Sequence, residues 1–443
     1  MESNVPLMGI TAEWRRIYSS PLARNASWML LGQGLNTFLL AGYFVVLSRL
    51  LGVTEYGILA GATAFVLIVA PYGALGSGMI FMRYVTTDRA QHGLYFGNIL
   101  LSTGAVSAIL IAVLGLSASH ILHAGSTAIV VPLAISECFC SSITGAISQV
   151  FQTYEMPRRM ILISAVNNLL RFFTALTLWM FNSHATAGQW AMANLAVSAV
   201  LCAGTVLLVT RQLGLPRFSL RLAFQRMGEG SAFSLAGSAS SIYNDFDKTM
   251  LSHYGMNAAN GIYSVAYRVV NIATMPAFSI EMAALPRLFQ HRASGFRGLV
   301  QYGNSLLKRS LLVGALMTIA LFAAAPLLPL LLGRGFAESV LALRWLALLP
   351  LLRSAHLILG SMLTAAGFQH YRTGFQLVIA GLNFALNLWL IPTHGWLGAS
   401  WSSLATDALL GVVYWLFIRW HLLLNNDEEH GYCGKYSGPT LHD

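Results

Sequence analysis

The chain has 443 residues, 56% of them apolar and 9% charged, with 26 basic and 16 acidic side chains and a net charge of +10. A soluble domain carries about 25% charged residues. With a mean hydropathy of +0.64, a soluble enzyme and a disordered chain are both excluded, and a polytopic membrane protein remains.

The first 25 residues carry Glu13, Arg15 and Arg16 without an apolar run, which predicts a cytoplasmic N-terminal segment (1–25) and no cleavable signal peptide. Apolar runs long enough to span follow at 26–48, 57–80, 95–117, 126–148, 159–182 and 188–210, giving an N-lobe over 26–210. The segment 211–229, with Arg211, Arg217, Arg221, Arg226 and Pro216, reads as a cytoplasmic linker. A second set at 230–252, 258–284, 309–331, 340–364, 372–391 and 396–418 gives a C-lobe over 230–418, and 419–443 is a cytoplasmic tail. Twelve spans of about 22 residues leave only short loops. No folded extramembrane domain fits, so any chemistry lies within the bilayer or at its edges.

Basic residues test this division. With the N-terminus inside, the predicted cytoplasmic segments hold most of the 26, from Arg15, Arg16 and Arg24 through Arg83, Arg89, Arg158 and Arg159 to Arg372, Arg419 and Lys435. The predicted outside loops hold Arg49 and Arg334. Miscounting one span would invert every later loop and destroy the asymmetry. Twelve helices with both termini cytoplasmic follow. The positive charge is a topology signal, and no nucleic acid partner is expected.

A shift of 204 superimposes Gly57 and Ile58 on Gly261 and Ile262, Ala62 on Ala266, and Arg83 on Arg287, while later helices need about 214, pairing Arg158 with Arg372. Six helices per half make this a parallel repeat about an axis along the membrane normal. The predicted fold is therefore all-α, two six-helix lobes around a central cavity.

Charges inside spans are expensive, about 2.5–3.5 kcal/mol each at a helix centre on insertion scales. Glu137 and Arg171 sit near mid-membrane on helices four and five, and Arg353 and Asp407 at similar depth on helices ten and twelve. Asp245, Asp247 and Arg268 share the outer half of helices seven and eight. Asp245 and Lys248, three residues apart, neutralise each other on one face, which leaves Asp247 as the better partner for Arg268. Arg344 lies close to an outer end and snorkels, and Glu281, near the cytoplasmic end, is expected to be solvated. Gln33, Gly34 and Asn36 form a polar stretch in helix one; Asn167 and Asn168 precede Arg171 by one turn, and His356 follows Arg353 by one turn. Arg171, Arg268, Arg353, Lys248, Asn36 and Gln33 are thus candidates to line a polar cavity that meets an anionic headgroup. Asp245, Asp247, Asp407 and Glu137 are candidates for coupling to a cation or proton. Against this stands a plain structural role for each pair, as ion pairs holding a bundle together.

Cys138, Cys140, Cys202 and Cys433 give no disulfide framework and read as bland thiols. The sequence has no Walker loop, HExxH or clustered metal ligands, so no cofactor or metal is expected and transport runs on an ion gradient, the membrane potential or the substrate's own gradient.

The stretch LSRLLGVTEYGILAGATAFV (48–67) resembles the first outside loop and second helix of the polysaccharide-biosynthesis flippases of the multidrug/oligosaccharidyl-lipid/polysaccharide superfamily. NDFDKTMLSHYGMNAANGIYSVAYRV (244–269) is similar to their seventh and eighth helices. Asn383, Asn387, Ile391, Pro392, Gly395, Gly398 and Ala399 match their N-x3-N…IP-x2-G-x2-GA pattern. The resemblance implies translocation of an undecaprenyl-diphosphate-linked oligosaccharide (O-antigen, capsule or exopolysaccharide unit) between leaflets of a bacterial cytoplasmic membrane by alternating access. It implies membrane lipid and the glycan polymerase or glycosyltransferase machinery as partners, and a cavity whose basic residues meet the lipid diphosphate. By position, Asp247 matches the family's helix-seven acid and Arg268 its polar helix eight; Arg171 and Arg353 are chosen from depth. The span charges here sum to zero, unlike a strongly cationic cavity.

The competing reading within transport is a cation-coupled drug antiporter of the same superfamily, using Asp245, Asp247 or Asp407. A lipid II flippase adds two helices for which no length remains. An O-antigen polymerase or ligase needs a sizeable periplasmic loop, and the longest outside loop here is short.

Overall fold

The computed structural model describes residues 21–182, 184–292 and 295–433, and every regular element among them is helical. The expected N-terminal segment lies largely outside the described residues, as does the expected tail beyond Cys433, where α12 ends. The chain forms α1 (Pro21–Val69), α2 (Ser77–Val85), α3 (His92–Ile121), α4 (Val130–Thr153), α5 (Pro157–Phe181), α6 (Ala187–Gln212) and α7 (Leu220–His253). It continues with α8 (Asn257–Arg292), α9 (Phe296–Ala324), α10 (Ser339–Ala365), α11 (Gln369–His394) and α12 (Trp396–Cys433).

Ten stretches of the described residues are long and apolar enough to cross a membrane. The first two expected spans lie together in one of them, Gly34–Val85, where the helix breaks at Gly52. The seventh, α7, has the length at 34 residues but carries too much serine and charge to be among the ten. Side chains such as Leu116, Phe181 and Trp389, 78%, 91% and 72% exposed, have no place on a water-facing surface of this extent and fit a lipid environment. The protein is an all-α polytopic membrane protein.

The break in α1 and the turn between α7 and α8 share a backbone feature. Gly52 and Gly255 both have φ 69°, a positive φ that costs any residue with a Cβ about 1–3 kcal/mol. Gly52 precedes Gly57-Ile58 by five residues and Gly255 precedes Gly261-Ile262 by six.

The chain divides into two compact units, Met1–Asn257 and Ala258–Asp443. The repeat expected from the sequence would place α7 at the head of the second half, whereas its contacts put it in the first unit. Three attachments along its length explain this. Arg83 Nη1 meets Glu229 Oε1 at 2.7 Å, the Ser238 hydroxyl donates to the Ile68 carbonyl, and Ser252 Oγ donates to Ser126 Oγ at 2.7 Å. Residues 220–229 are already helical within α7, and before it the Arg217 N–H donates to Gly93 O at 2.7 Å.

The first unit packs around Phe81, Phe96, Ile147, Val150 and Phe151, where α2, α3 and α4 converge. The second packs around Leu288, Leu299, Ile358, Met362 and Tyr414 of α8, α9, α10 and α12. Lipid tails are as apolar as these side chains, so close packing rather than burial from water drives such contacts. Thus Gly303 of α9 lies directly against Met362 of α10, and Gly314 against Ser354.

Candidate functional site

In the second unit α8, α10 and α12 bring one arginine into a polar network that is buried at Tyr267 and Asp407 and open at Asn271. Arg353 Nε donates to Asp407 Oδ2 at 3.1 Å, Nη1 to Asn271 Oδ1 at 2.8 Å and Nη2 to Tyr267 Oη at 2.5 Å. The guanidinium carbon also stands 5.2 Å from the Tyr267 ring centroid. The side chains of Arg353 and Asp407 are 11% and 2% exposed. His356, one turn along α10, places Nε2 3.5 Å from Asp407 Oδ1 without hydrogen-bond alignment. The depth-based pairing of Arg353 with Asp407 is thus met in the fold. Tyr267 and Asn271 went unread; their only signal was polarity four residues apart on one face of α8, overshadowed by the charge of Arg268 beside them.

Toward the C-terminal end of α8 in the same unit, Glu281 corrects an expectation. It is buried, not solvated: Ser361 Oγ donates to its Oε1 at 2.5 Å, with Arg372 Nη2 3.9 Å away. Two neighbouring helices enclose the carboxylate, which position along α8 alone does not reveal.

In the first unit Arg171 of α5 meets Glu137 of α4, Nη2 to Oε1, at 3.3 Å. Glu137 sits in a π-helical segment, Ile135–Ser141, a widened turn often found at functional sites. Ser107 Oγ of α3 donates to Cys138 O at 2.5 Å, and Ser142 Oγ to Glu137 O at 3.2 Å, so hydroxyls hold the carbonyls that the widened turn loosens. The two arginines differ. Each nitrogen of Arg353 has a partner, whereas Arg171 Nε is buried without one and its contact to Glu137 is long. Nearby, Asn168 Nδ2 donates to the buried Asn36 Oδ1 at 3.4 Å. The Gln33 side chain lies outside the described residues.

On α7, Lys248 Nζ reaches Asp245 Oδ1 at 2.6 Å and Asn244 O at 2.8 Å, the neutralisation expected from their spacing. Asp247 is buried, its Oδ1 accepting the Lys248 N–H at 2.7 Å. Asp247 belongs to the first unit; Arg268, half-buried on α8, belongs to the second. Arg344 is exposed and stacks over Phe322, 5.0 Å from the ring centroid, as a snorkelling arginine does.

The N-x3-N motif is helix glue. Asn387 Nδ2 donates to Asn383 Oδ1 at 2.9 Å, Asn383 Nδ2 to Thr406 Oγ1 at 3.0 Å, and the Ser402 hydroxyl to Asn387 Oδ1. Gly398 sits against the Leu390 carbonyl where a Cβ would collide, so α11 and α12 meet backbone to backbone. Amide ladders of this kind join helices in lipid.

The family model described as polysaccharide biosynthesis protein matches residues 22–292. Among solved structures the chain is similar to a multidrug resistance MATE family transporter of the MOP superfamily in an inward-facing conformation, with TM-score 0.69 and 12% identity over 89% of this chain and 96% of that one. It is similar to the lipid II flippase MurJ in an inward closed conformation, with TM-score 0.68 and 11% identity over 88% and 86% of the two chains. An outward-facing MATE transporter of that superfamily gives TM-score 0.57 and 14% identity over 91% and 96%. No curated protein matches the chain.

Proposed function

Because this chain belongs to the polysaccharide biosynthesis protein family, we propose that it is a flippase, a transporter and not an enzyme, that carries an undecaprenyl-diphosphate-linked oligosaccharide from the inner to the outer leaflet of a bacterial cytoplasmic membrane. The MurJ likeness, to a protein titled a lipid II flippase, supports the lipid-linked class of cargo through the shared fold. Arg171 carries the site assignment. A guanidinium with a buried unpartnered Nε and one long contact keeps donors for an anionic diphosphate, which arginine binds in its planar fork. Arg353, saturated by its three neighbours, holds the second unit together and pairs with Asp407. Arg268 and Lys248 add positive charge, Asn36 and Gln33 add amides, and Asp245, Asp247, Asp407 and Glu137 are the coupling acids. The basic cytoplasmic segments are where glycan-assembly enzymes dock.

The test is leaflet-resolved assay of the lipid-linked glycan in cells making Arg171→Ala or Arg171→Lys at normal levels. Glycan should accumulate on the inner leaflet in the alanine variant and be partly exported in the lysine variant. Normal export by Arg171→Ala overturns the assignment. A second reading, a cation-coupled drug antiporter, is favoured by the buried Asp247 on α7 and by the likeness to MATE transporters. Gradient-driven export of an organic cation, abolished by Asp247→Asn and without any effect on glycan, would establish it instead.

A further inference from the structure

Along α6, Ala199, Ala203, Leu207 and Arg211 stand four residues apart and all are exposed. That spacing sets them in one row on one face of the helix. The apolar part of the row belongs to a groove of about 480 Å³. Leu100 of α3 and Phe139, Cys140 and Ile143 of α4 supply its other wall. Phe139 and Cys140 come from the π-helical segment, and alanine at 199 and 203 leaves the α6 side open. The walls offer few polar atoms: the Cys140 and Cys202 side chains are buried, and Thr210 Oγ1 donates to Val206 O at 2.8 Å. Nothing inside calls for a polar ligand.

Two magnitudes select the occupant. From Ala199 to Thr210 the helix rises roughly 16 Å, about half of a hydrocarbon core of roughly 30 Å, so the groove spans one leaflet. The row ends on Arg211, which has no ion pair or hydrogen bond among the described residues, on the side where Arg217, Arg221 and Arg226 mark the cytoplasmic face. We propose that this groove binds one acyl chain of an anionic phospholipid of the cytoplasmic leaflet, with the lipid phosphate at Arg211. A polyprenyl tail, long enough to traverse both leaflets, overruns a groove of this length, and a zwitterionic headgroup brings its own cation beside Arg211, which weakens the attraction to its phosphate.

Native mass spectrometry of the purified full-length protein, titrated with phosphatidylglycerol and phosphatidylcholine of identical chains, tests the site. The wild type should retain one phosphatidylglycerol with a preference of about fivefold, the electrostatic gain from one arginine at a membrane surface. Arg211→Gln should abolish the preference while leaving phosphatidylcholine binding unchanged. Ala203→Trp should fill the groove and remove the retained lipid whatever its headgroup. A phosphatidylglycerol with a diazirine on its acyl chain should crosslink to the peptides carrying Phe139–Ile143 and Ala199–Leu207 in the wild type, which keeps the test independent of how Ala203→Trp folds. An unchanged preference in Arg211→Gln, full retention in folded Ala203→Trp, crosslinks confined to other helices, or a polyprenyl lipid recovered from the groove would each overturn the proposal.

Discussion

Arg353 Nε donates to Asp407 Oδ2 across 3.1 Å, in a setting that leaves the aspartate side chain 2% exposed. Removing one member of such a buried pair strands the other charge, at a cost of about 3–5 kcal/mol. Arg353→Ala and Asp407→Ala should each lower the unfolding free energy in detergent by about that amount. Replacing both by apolar residues of similar volume (Arg353→Met with Asp407→Leu) should cost much less than the sum of the single changes. A double-mutant cycle with additive terms would show that the two side chains are not coupled.

Arg171 should behave in the opposite way. Its pair with Glu137 is longer and partly open, with side chains 21% and 19% exposed, so the stability loss in Arg171→Ala should stay within about 1 kcal/mol. Its transport loss should nevertheless match or exceed that of Arg353→Ala once both are corrected for folded protein. Thermal unfolding beside a glycan-export assay separates the two; a large stability loss with normal export per folded molecule would reverse their roles.

These two arginines also mark what the sequence makes legible. Lipid demands about 20 apolar residues per span, so the spans read directly, and any charge within them stands out against that background. Spacing along one helix gave the Asp245–Lys248 pair, because both partners share a local frame. Contacts between helices obey no such period. Tyr267 and Asn271 reach Arg353 only because α8 packs beside α10, and Glu281 is buried only because Ser361 and Arg372 approach from α10 and α11. The attachment of α7 to the first unit was hidden for the same reason. Its links, Ser238 to Ile68 and Ser252 to Ser126, use residues with no pattern of their own.

The two positive-φ glycines at Gly52 and Gly255 offer a graded comparison. In Gly52→Ala the new methyl meets no atom within 4 Å, so only the backbone conformation (φ 69°, ψ 179°) is penalised, by about 1–3 kcal/mol. In Gly255→Ala the positive φ is penalised as well, and the Cβ also lies 3.1 Å from the His123 ring, whose backbone N–H is held by Ser252 O at 3.3 Å. Gly255→Ala should therefore be the more destabilising of the two in chemical unfolding. Equal losses would mean that the ring moves aside freely.

The α11–α12 ladder carries its own signature. Asn387 is fully buried and bonds both Asn383 and Ser402. Asn387→Leu removes its amide and leaves those two groups short of a partner, which should cost about 1–3 kcal/mol. Asn383→Ala should be of similar size, and the double variant less than additive because one hydrogen bond is shared. Bonds of this kind in a helical membrane protein average about 0.6 kcal/mol by coupling, so the coupling term should fall near that value.

The N-terminal part of α7 is tied to α2 by a cluster in which the acid matters more than any one base. Glu229 accepts from Arg83 Nη1 at 2.7 Å and Tyr84 Oη at 3.3 Å, with Arg226 Nη1 at 3.5 Å. Arg226 in turn donates to Tyr84 Oη at 2.7 Å and stacks over its ring at 4.2 Å. Arg83 is 65% exposed, so Arg83→Ala should shift stability by less than about 1 kcal/mol, and the shift should fade as salt screens the pair. Glu229→Ala removes the shared acceptor of three groups at once and should cost more, about 1–3 kcal/mol, with a part that persists at high salt because the Tyr84 hydroxyl is neutral. Melting temperatures of both variants between about 0.05 and 0.5 M salt distinguish the cases. If Glu229→Ala fades with salt as fully as Arg83→Ala, the tyrosine contributes nothing and the joint is an ordinary surface ion pair.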